Sequence, residues 1–344
     1  MLKKTCRTGV AAIAFVLSSL AALPASAQDT WRMATDQQAD SPEGKAYQRF
    51  ADLVAKYSND QLKITIFPAS QLGSASAMLE QISGGLIQVF PDALADASKW
   101  VPDVQYVSSP FLFQSRAQWV NFMHSDVVKG WVGQIHDKAG VDILGDPSQF
   151  MRGPYRVLVS TKPVHSLADI GGLKLRLAKD KLSVDVWTRL GASVQVLDWS
   201  AVYDGLDRHM IDAMTSPISQ LESIKVTEVA KYVARTDEYW QSVAFFVNHK
   251  AYAALSPAEK SAVDRAYAES SAYAAELEKS FTETAIDKMK KSGVQFTVLD
   301  TKPIVQQART LYDARSTAGT LPKGFLAAVQ SVQSNVTTAS ASGQ

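Results

Sequence analysis

The residues able to do chemistry in this chain do not form a catalytic set by their spacing. The five histidines, His124, His136, His165, His209 and His249, are scattered, and none pair at metal-ligand spacing. Gly73-Ser74-Ala75-Ser76-Ala77 begins like a nucleophile elbow but lacks the closing glycine. Gly84-Gly85 and Gly171-Gly172 read as turn glycines. Neither GxGxxG nor GxxxxGKS/T occurs, so no phosphate loop, cofactor or metal is expected. Arginine chemistry stands out instead. In Leu173-Lys174-Leu175-Arg176-Leu177 the period of two puts Arg176 on one strand face with Lys174. A guanidinium is a planar fork that meets both oxygens of a carboxylate. In open α/β sheets ligands bind beyond the carboxyl ends of strands, where Arg176 should lie. A surface pairing with Asp169 or Asp180 is the alternative.

Trp199 directly follows an apolar strand and precedes Ser200, a plausible helix N-cap. Such a junction opens into the cleft of an α/β fold; a core tryptophan is the alternative. Trp240, in Glu238-Tyr239-Trp240-Gln241, is a further candidate wall. Asp36 and Asp92 lie near strand ends and could receive ligand hydroxyl or amino groups. Helix capping or solvation would also explain them.

The elements that must position these residues alternate. Strands fit Trp31 to Thr35, Leu62 to Ile66 and Leu86 to Phe90, with helices around Ala46–Val54 and Gln71–Gly84. This β-α-β-α-β order implies a parallel sheet with helices on its faces. Helices at Ala117–His124 and Val127–Lys138 and a strand at Val141–Leu144 follow. A second series has strands at Arg156–Ser160, Leu173–Leu177, Val194–Leu197 and Ile211–Met214. Its helices are Lys181–Leu190, Ser200–Leu206 and Ile218–Val226. Tyr232–Ala234 and Val243–Val247 read as strands crossing back to the first series. Ser256-Pro257-Ala258-Glu259 is a capping box with proline at the first helical position. It opens a helix that meets no breaker before Gly293.

Lys3, Lys4 and Arg7, the apolar run Val10–Leu23 and Ala25-Ser26-Ala27 follow the order of a secretory signal peptide, with cleavage expected after Ala27. The run is too short to span a bilayer. Cys6, the only cysteine, lies in that leader, so no disulfide or thiol is expected in the exported chain, which suits an oxidising compartment. The 35 basic and 34 acidic residues give a net charge of +1, and −2 without the three basic residues of the leader. That balance offers no general attraction to nucleic acid or membranes.

Several motifs occur in one order: Phe67-Pro68-Ala-Ser-Gln71-Leu72-Gly73, Arg156-Val-Leu-Val-Ser160, Asp169-Ile-Gly-Gly172-Leu-Lys174-Leu-Arg176, Leu190-Gly191-Ala192, Trp199-Ser200-Ala-Val-Tyr203, Ser216-Pro217, and Val247-Asn248-His-Lys250 with Leu255-Ser-Pro. Together they resemble the periplasmic solute-binding subunit of TRAP (tripartite ATP-independent periplasmic) transporters. The resemblance implies an α/β, two-domain clamshell with a long helix bracing both domains. Domain I would be 28–153 plus about 243–281, and domain II 154–242 plus about 282–330, with 331–344 a frayed tail. It implies that Arg176 binds a ligand carboxylate, that Arg156, twenty residues earlier, is a second ligand arginine, and that Trp199 packs on the ligand. Arg152 lies close enough to replace Arg156. Ser216 stands where the family often carries asparagine, so a contact there is lost, bridged by water or rebuilt. The implied partners are a small organic acid and the transporter's membrane subunits, with the protein a monomer. A periplasmic α/β enzyme acting on a small acid and an ABC-type binding protein are the alternatives.

Overall fold

The computed structural model describes residues 29–341; the leader, Cys6 and the expected cleavage point lie outside them. The strands are β1 (Asp29–Ala34), β2 (Leu62–Phe67), β3 (Val89–Ala93), β4 (Val141–Leu144), β5 (Arg156–Ser160), β6 (Lys174–Leu177), β7 (Ser193–Val196), β8 (Ala213–Pro217), β9 (Tyr232–Arg235), β10 (Val243–Asn248) and β11 (Gln295–Thr297). The helices are α1 (Pro42–Tyr57), α2 (Ala75–Ser83), α3 (Arg116–Met123), α4 (Asp126–Ala139), α5 (Lys181–Arg189), α6 (Val202–Asp207), α7 (Gln220–Ser223), α8 (His249–Ala254), α9 (Pro257–Lys291), α10 (Thr301–Thr317) and α11 (Phe325–Ala341).

These strands make two sheets, ordered β2-β1-β3-β10-β4 and β11-β9-β5-β8-β6-β7. Parallel β1–β2 and β1–β3 pairs form the start of the first sheet, as the β-α-β-α-β pattern requires. β10 enters between β3 and β4, antiparallel to both. All six of its residues are buried. Val243, Phe245 and Val247 pack on the α1 side, while Ala244 and Phe246 face the opposite core. That two-sided burial explains its unbroken apolar run. Of the two strands expected to cross between domains, only β10 does so; β9 stays in the second sheet, antiparallel to β5.

Helix boundaries follow local chemistry. Ser41 caps α1 by accepting from Gly44 N at 3.0 Å. Gln71–Gly84 reads as one helix, but the helix begins only at Ala75. Gly73 has φ +112° and Ser74 caps the following turn. The strand expected from Leu86 starts at Val89, leaving Leu86 exposed. The expected helix Ile218–Val226 shrinks to α7 and stops before Lys225, at φ +56°.

The capping box holds: Ser256 Oγ accepts from Glu259 N, and Glu259 accepts from Ser256 N at 2.9 Å. α9 runs 35 residues, about 52 Å at 1.5 Å per residue. Its first half, through Val263, Ala266, Tyr267 and Ala274, joins the core beneath α1. Its last turns, through Ala285 and Met289, join the core of the second sheet. One helix thus braces two bodies. α10 packs on α5, whereas α11 returns to α3, with Phe325 against Tyr106 and Phe122. The assignment of residues up to 330 to the second body is therefore corrected at α11. That helix also continues to Ala341, beyond the point where a frayed tail was expected.

Candidate functional site

The two sheets face each other across a cavity of about 620 Å³. Two extended crossovers run side by side at its base, joined by a bridge between Met151 and Ser242 and by Arg152 N donating to Gln241 O at 2.9 Å. Gly153, at φ +70°, sits there because a Cβ would meet Pro217 at 2.8 Å.

Arg176 points into this cavity from β6 and is 5% exposed. Its Nε and Nη2 both donate to the carbonyl oxygen of Leu197, at 2.9 and 2.7 Å. Its guanidinium carbon lies 5.6 Å from the centre of the half-buried Trp199 ring. No carboxylate pairs with Arg176 among the described residues, so neither Asp169 nor Asp180 takes it. Burial, then repulsion from Arg156, lowers its pKa to about 10. That is still charged at neutral pH, and it marks a cation short of a counter-ion.

Arg156 is differently placed. Its Nε donates to Glu238 at 2.6 Å, Nη1 to Gln241 at 2.6 Å and Nη2 to Thr215 at 3.1 Å. Glu238 is fully buried and also accepts from Trp187 Nε1 at 3.0 Å. Arg156 lines the cavity, but its charge is matched from within the protein. Arg152, the neighbour weighed as its substitute, pairs with Asp92 at 2.9 Å on the first body. Its Nε lies 3.8 Å from Glu43, and Nε and Nη2 are buried without hydrogen-bond partners.

The first body contributes acids to the cavity: Asp36, Asp92 and Asp96. Asp92 accepts from Arg152 and from Ala93 N. Burial first, then repulsion from Asp92, raises Asp36 to about 7, and the same causes raise Asp96 well above the carboxylate range. Ser216 is buried on β8, and its hydroxyl donates to Pro217 O at 3.1 Å. Four residues after Ser216, Gln220 Nε2 donates to Gln37 and Glu43 of the first body at 2.8 and 3.2 Å. These are direct bonds between the bodies.

Trp240 does not line this cavity. It walls a separate hollow against α9, with Tyr155 and Glu278. Tyr239 faces the cleft instead, with the Arg156 guanidinium 4.3 Å from its ring centre. An extended segment alternates its faces, so Tyr239 and Gln241 share a side that excludes Trp240. That signal was present in Glu238–Gln241. Asp96, Glu43 and Gln220 carried no comparable pattern. The fold also gathers two of the scattered histidines. On the surface of the first body, His136 Nδ1 and His249 Nδ1 lie 2.7 and 2.9 Å from the two oxygens of Asp142. The three are close enough to share a metal ion.

A two-sheet α/β clamshell with a buried guanidinium lining its cleft is a binding-protein architecture. The family model for bacterial extracellular solute-binding protein, family 7, matches residues 33–317, and the chain belongs to that family. It is 28% identical over 258 residues to the 2,3-diketo-L-gulonate-binding periplasmic protein of Escherichia coli, covering 75% of this chain and 77% of that one. It is also 28% identical over 233 residues to a longer, uncharacterised protein of Sinorhizobium fredii, of whose length the match covers 42%. The solved TRAP periplasmic solute-binding protein of Actinobacillus succinogenes, with bound L-galactonate, superposes with a TM-score of 0.79. It is 26% identical, and the match covers 89% of this chain and 99% of that one. Among the described residues no helix is long and apolar enough to cross a membrane.

Proposed function

We propose that this protein captures a small organic acid in the cleft and delivers it to the membrane subunits of a TRAP transporter, without chemical change to the ligand. The observation that carries this is Arg176, a buried guanidinium held in place by a backbone carbonyl and matched by no acid. A buried cation is tolerable only if an anion or strong hydrogen bonds replace its hydration. Anchoring two of its nitrogens on a neutral acceptor fixes the fork while leaving its charge for a ligand carboxylate. The ring of Trp199 supplies an apolar wall beside it. The relatives bound to L-galactonate or named for 2,3-diketo-L-gulonate support a carboxylate ligand. Export, with cleavage after Ala27, belongs to the same reading, as does a monomer built of the two bodies outlined from the sequence.

Binding would close the bodies about the Met151–Ser242 crossover and α9. Calorimetry of Arg176→Ala against wild type, with circular dichroism to establish folding, tests the anchor. A folded variant that binds the acid within about threefold of wild type, under 1 kcal/mol, removes Arg176 from the role. Conversion of a bound acid to another compound during long incubation would point to an enzyme.

A further inference from the structure

The arginines and acids that face each other across the cavity are unevenly paired, and the mismatch has a direction. Three arginines line the cleft. Glu238 matches Arg156 and Asp92 matches Arg152, which leaves Arg176 as the one lining arginine with no acid of its own; of the lysines that also line the cleft, Lys99 pairs with Glu80 and Lys181 with Asp185, while Lys179 is exposed to solvent and makes no ion pair among the described residues. On the opposite side Asp36 and Asp96 have no cation of their own. Asp36 accepts from the Gln37 amide at 2.5 Å. Asp96 makes no hydrogen bond or ion pair among the described residues. Asp180 lines the same cavity, but its oxygens are used by Leu182 N and the Ser183 hydroxyl. Arg152 is buried and reaches Asp92 and Glu43, yet its Nε and Nη2 complete no hydrogen bond. It therefore serves neither Asp36 nor Asp96 directly.

A ligand carrying only a carboxylate would neutralise Arg176 and leave two acids facing it as the cleft loses water. Burying a carboxylate without a partner is strongly unfavourable, so each must take up a proton or meet a cation. We propose that the natural ligand is a zwitterion, its carboxylate on Arg176 and its cationic group, an ammonium or amidinium, against Asp36 and Asp96. This rests on the carboxylate-binding reading above and adds the chemistry of the ligand's other end. Asp36 feels Asp92, Arg152 and Glu43 from its own body and Arg176 across the cleft; Asp96 feels Asp92, Arg152, Asp36 and Asp180. With the cleft empty, their raised pKa values mean that protons substitute for the missing cation. A bound cation would expel those protons.

Two measurements test this on the mature protein. Native mass spectrometry of protein purified without refolding, followed by ligand extraction, should recover a molecule bearing both charges. A carboxylate with no cationic group overturns the zwitterion. A ligand with no carboxylate overturns the proposed function as well. Calorimetry then compares matched probes: 5-aminovalerate with 5-hydroxyvalerate, and 2-amino-2-deoxy-D-galacturonate with D-galacturonate. In at least one pair the amino member should bind about tenfold or more tightly, 1.4 kcal/mol or more. Its binding should release protons, read from two buffers of different ionisation enthalpy, and should strengthen as pH rises through about 7, where Asp36 ionises. Asp36→Asn and Asp96→Asn, shown to be folded, should each narrow that preference to within about threefold. Hydroxy acids that bind as tightly as their amino partners, without proton release, would overturn the inference and leave the carboxylate anchor standing.

Discussion

The two arginines on the second wall of the cleft, Arg156 and Arg176, are equally buried and lie on strands of one sheet, yet their surroundings assign them different work. Arg156 is satisfied on three nitrogens by Glu238, Gln241 and Thr215. Arg176 rests on a single carbonyl and faces the cavity. A buried arginine becomes a ligand site when its geometry is fixed and its charge is left over. Where an internal acid consumes the charge, the same residue joins segments of chain. Here Arg156 ties β5 to the 236–242 crossover.

The sharpest way to break that contrast is to remove both side chains separately. Arg156→Ala leaves Glu238 buried without its cation, and should cost about 3–5 kcal/mol of stability. Denaturant unfolding should register this as a lower midpoint. An unchanged midpoint with lost affinity would make Arg156 a second ligand arginine. Arg176→Ala should do the reverse, weakening ligand binding by roughly thirty- to several-thousand-fold, or about 2–5 kcal/mol, with little change in unfolding. Arg176→Lys should recover little of that loss, because an ammonium lacks the two-pronged fork. Substantial rescue by lysine would reduce the anchor to a point charge.

A smaller effect is expected at Trp199, whose ring lines the cavity beside the Arg176 guanidinium. Trp199→Ala should weaken binding by about 0.5–2 kcal/mol, roughly two- to thirty-fold. Calorimetry again decides, and a loss as large as that of Arg176→Ala would mean that the ring positions the fork.

The smallest signal is the acid wall's effect on stability without ligand. Burial raises Asp36 from 3.8 to about 7, and Glu278, on α9, from 4.5 to about 9. The folded state then holds more protons than the unfolded one between the ordinary and raised values. Their contribution is present at low pH and lost as pH rises through about 7 for Asp36 and about 9 for Glu278. Melting scans of the empty protein should show the midpoint falling from pH 5 to pH 9. Asp36→Asn should flatten the fall below about pH 7. A midpoint that climbs over this range would mean both acids are ionised and compensated.

Much of this was legible in the sequence, for identifiable reasons. β5 keeps its expected bounds because a strand buried on both faces reads as an apolar run, and β4 keeps its own although Asp142 and Ile143 are only half-buried. α9 announces itself through Ser256, Pro257 and Glu259. Arg176 could be found from strand alternation and fork chemistry. The opposite wall was harder. Asp36 and Asp92 were visible as acids near strand ends, but Asp96 lies in a short 3-10 segment with no period to mark its direction. Its company with Asp36 is created by topology. Trp240 lies off the cavity because alternation along the extended segment turns it away from the side that Tyr239 and Gln241 share. The two closing helices escaped because nothing in their composition says where they dock; α11 crosses back through its contacts with α3 and with Tyr106.

The Gln220 amide, bonded to Gln37 and Glu43 across the two bodies, has a kinetic consequence. Those bonds are made by protein alone, so they stabilise the shut form whatever occupies it. At about 0.5–1.5 kcal/mol each, they bias the open–shut ratio by about 1–3 kcal/mol, roughly five- to 150-fold. Such a bias lengthens the residence of every ligand by a similar factor and discriminates among none. It also gives the empty protein a resting population of shut molecules, which would compete with loaded ones for the transporter. With the closure proposed above, dwell time and unproductive docking would both depend on this amide, remote from Arg176.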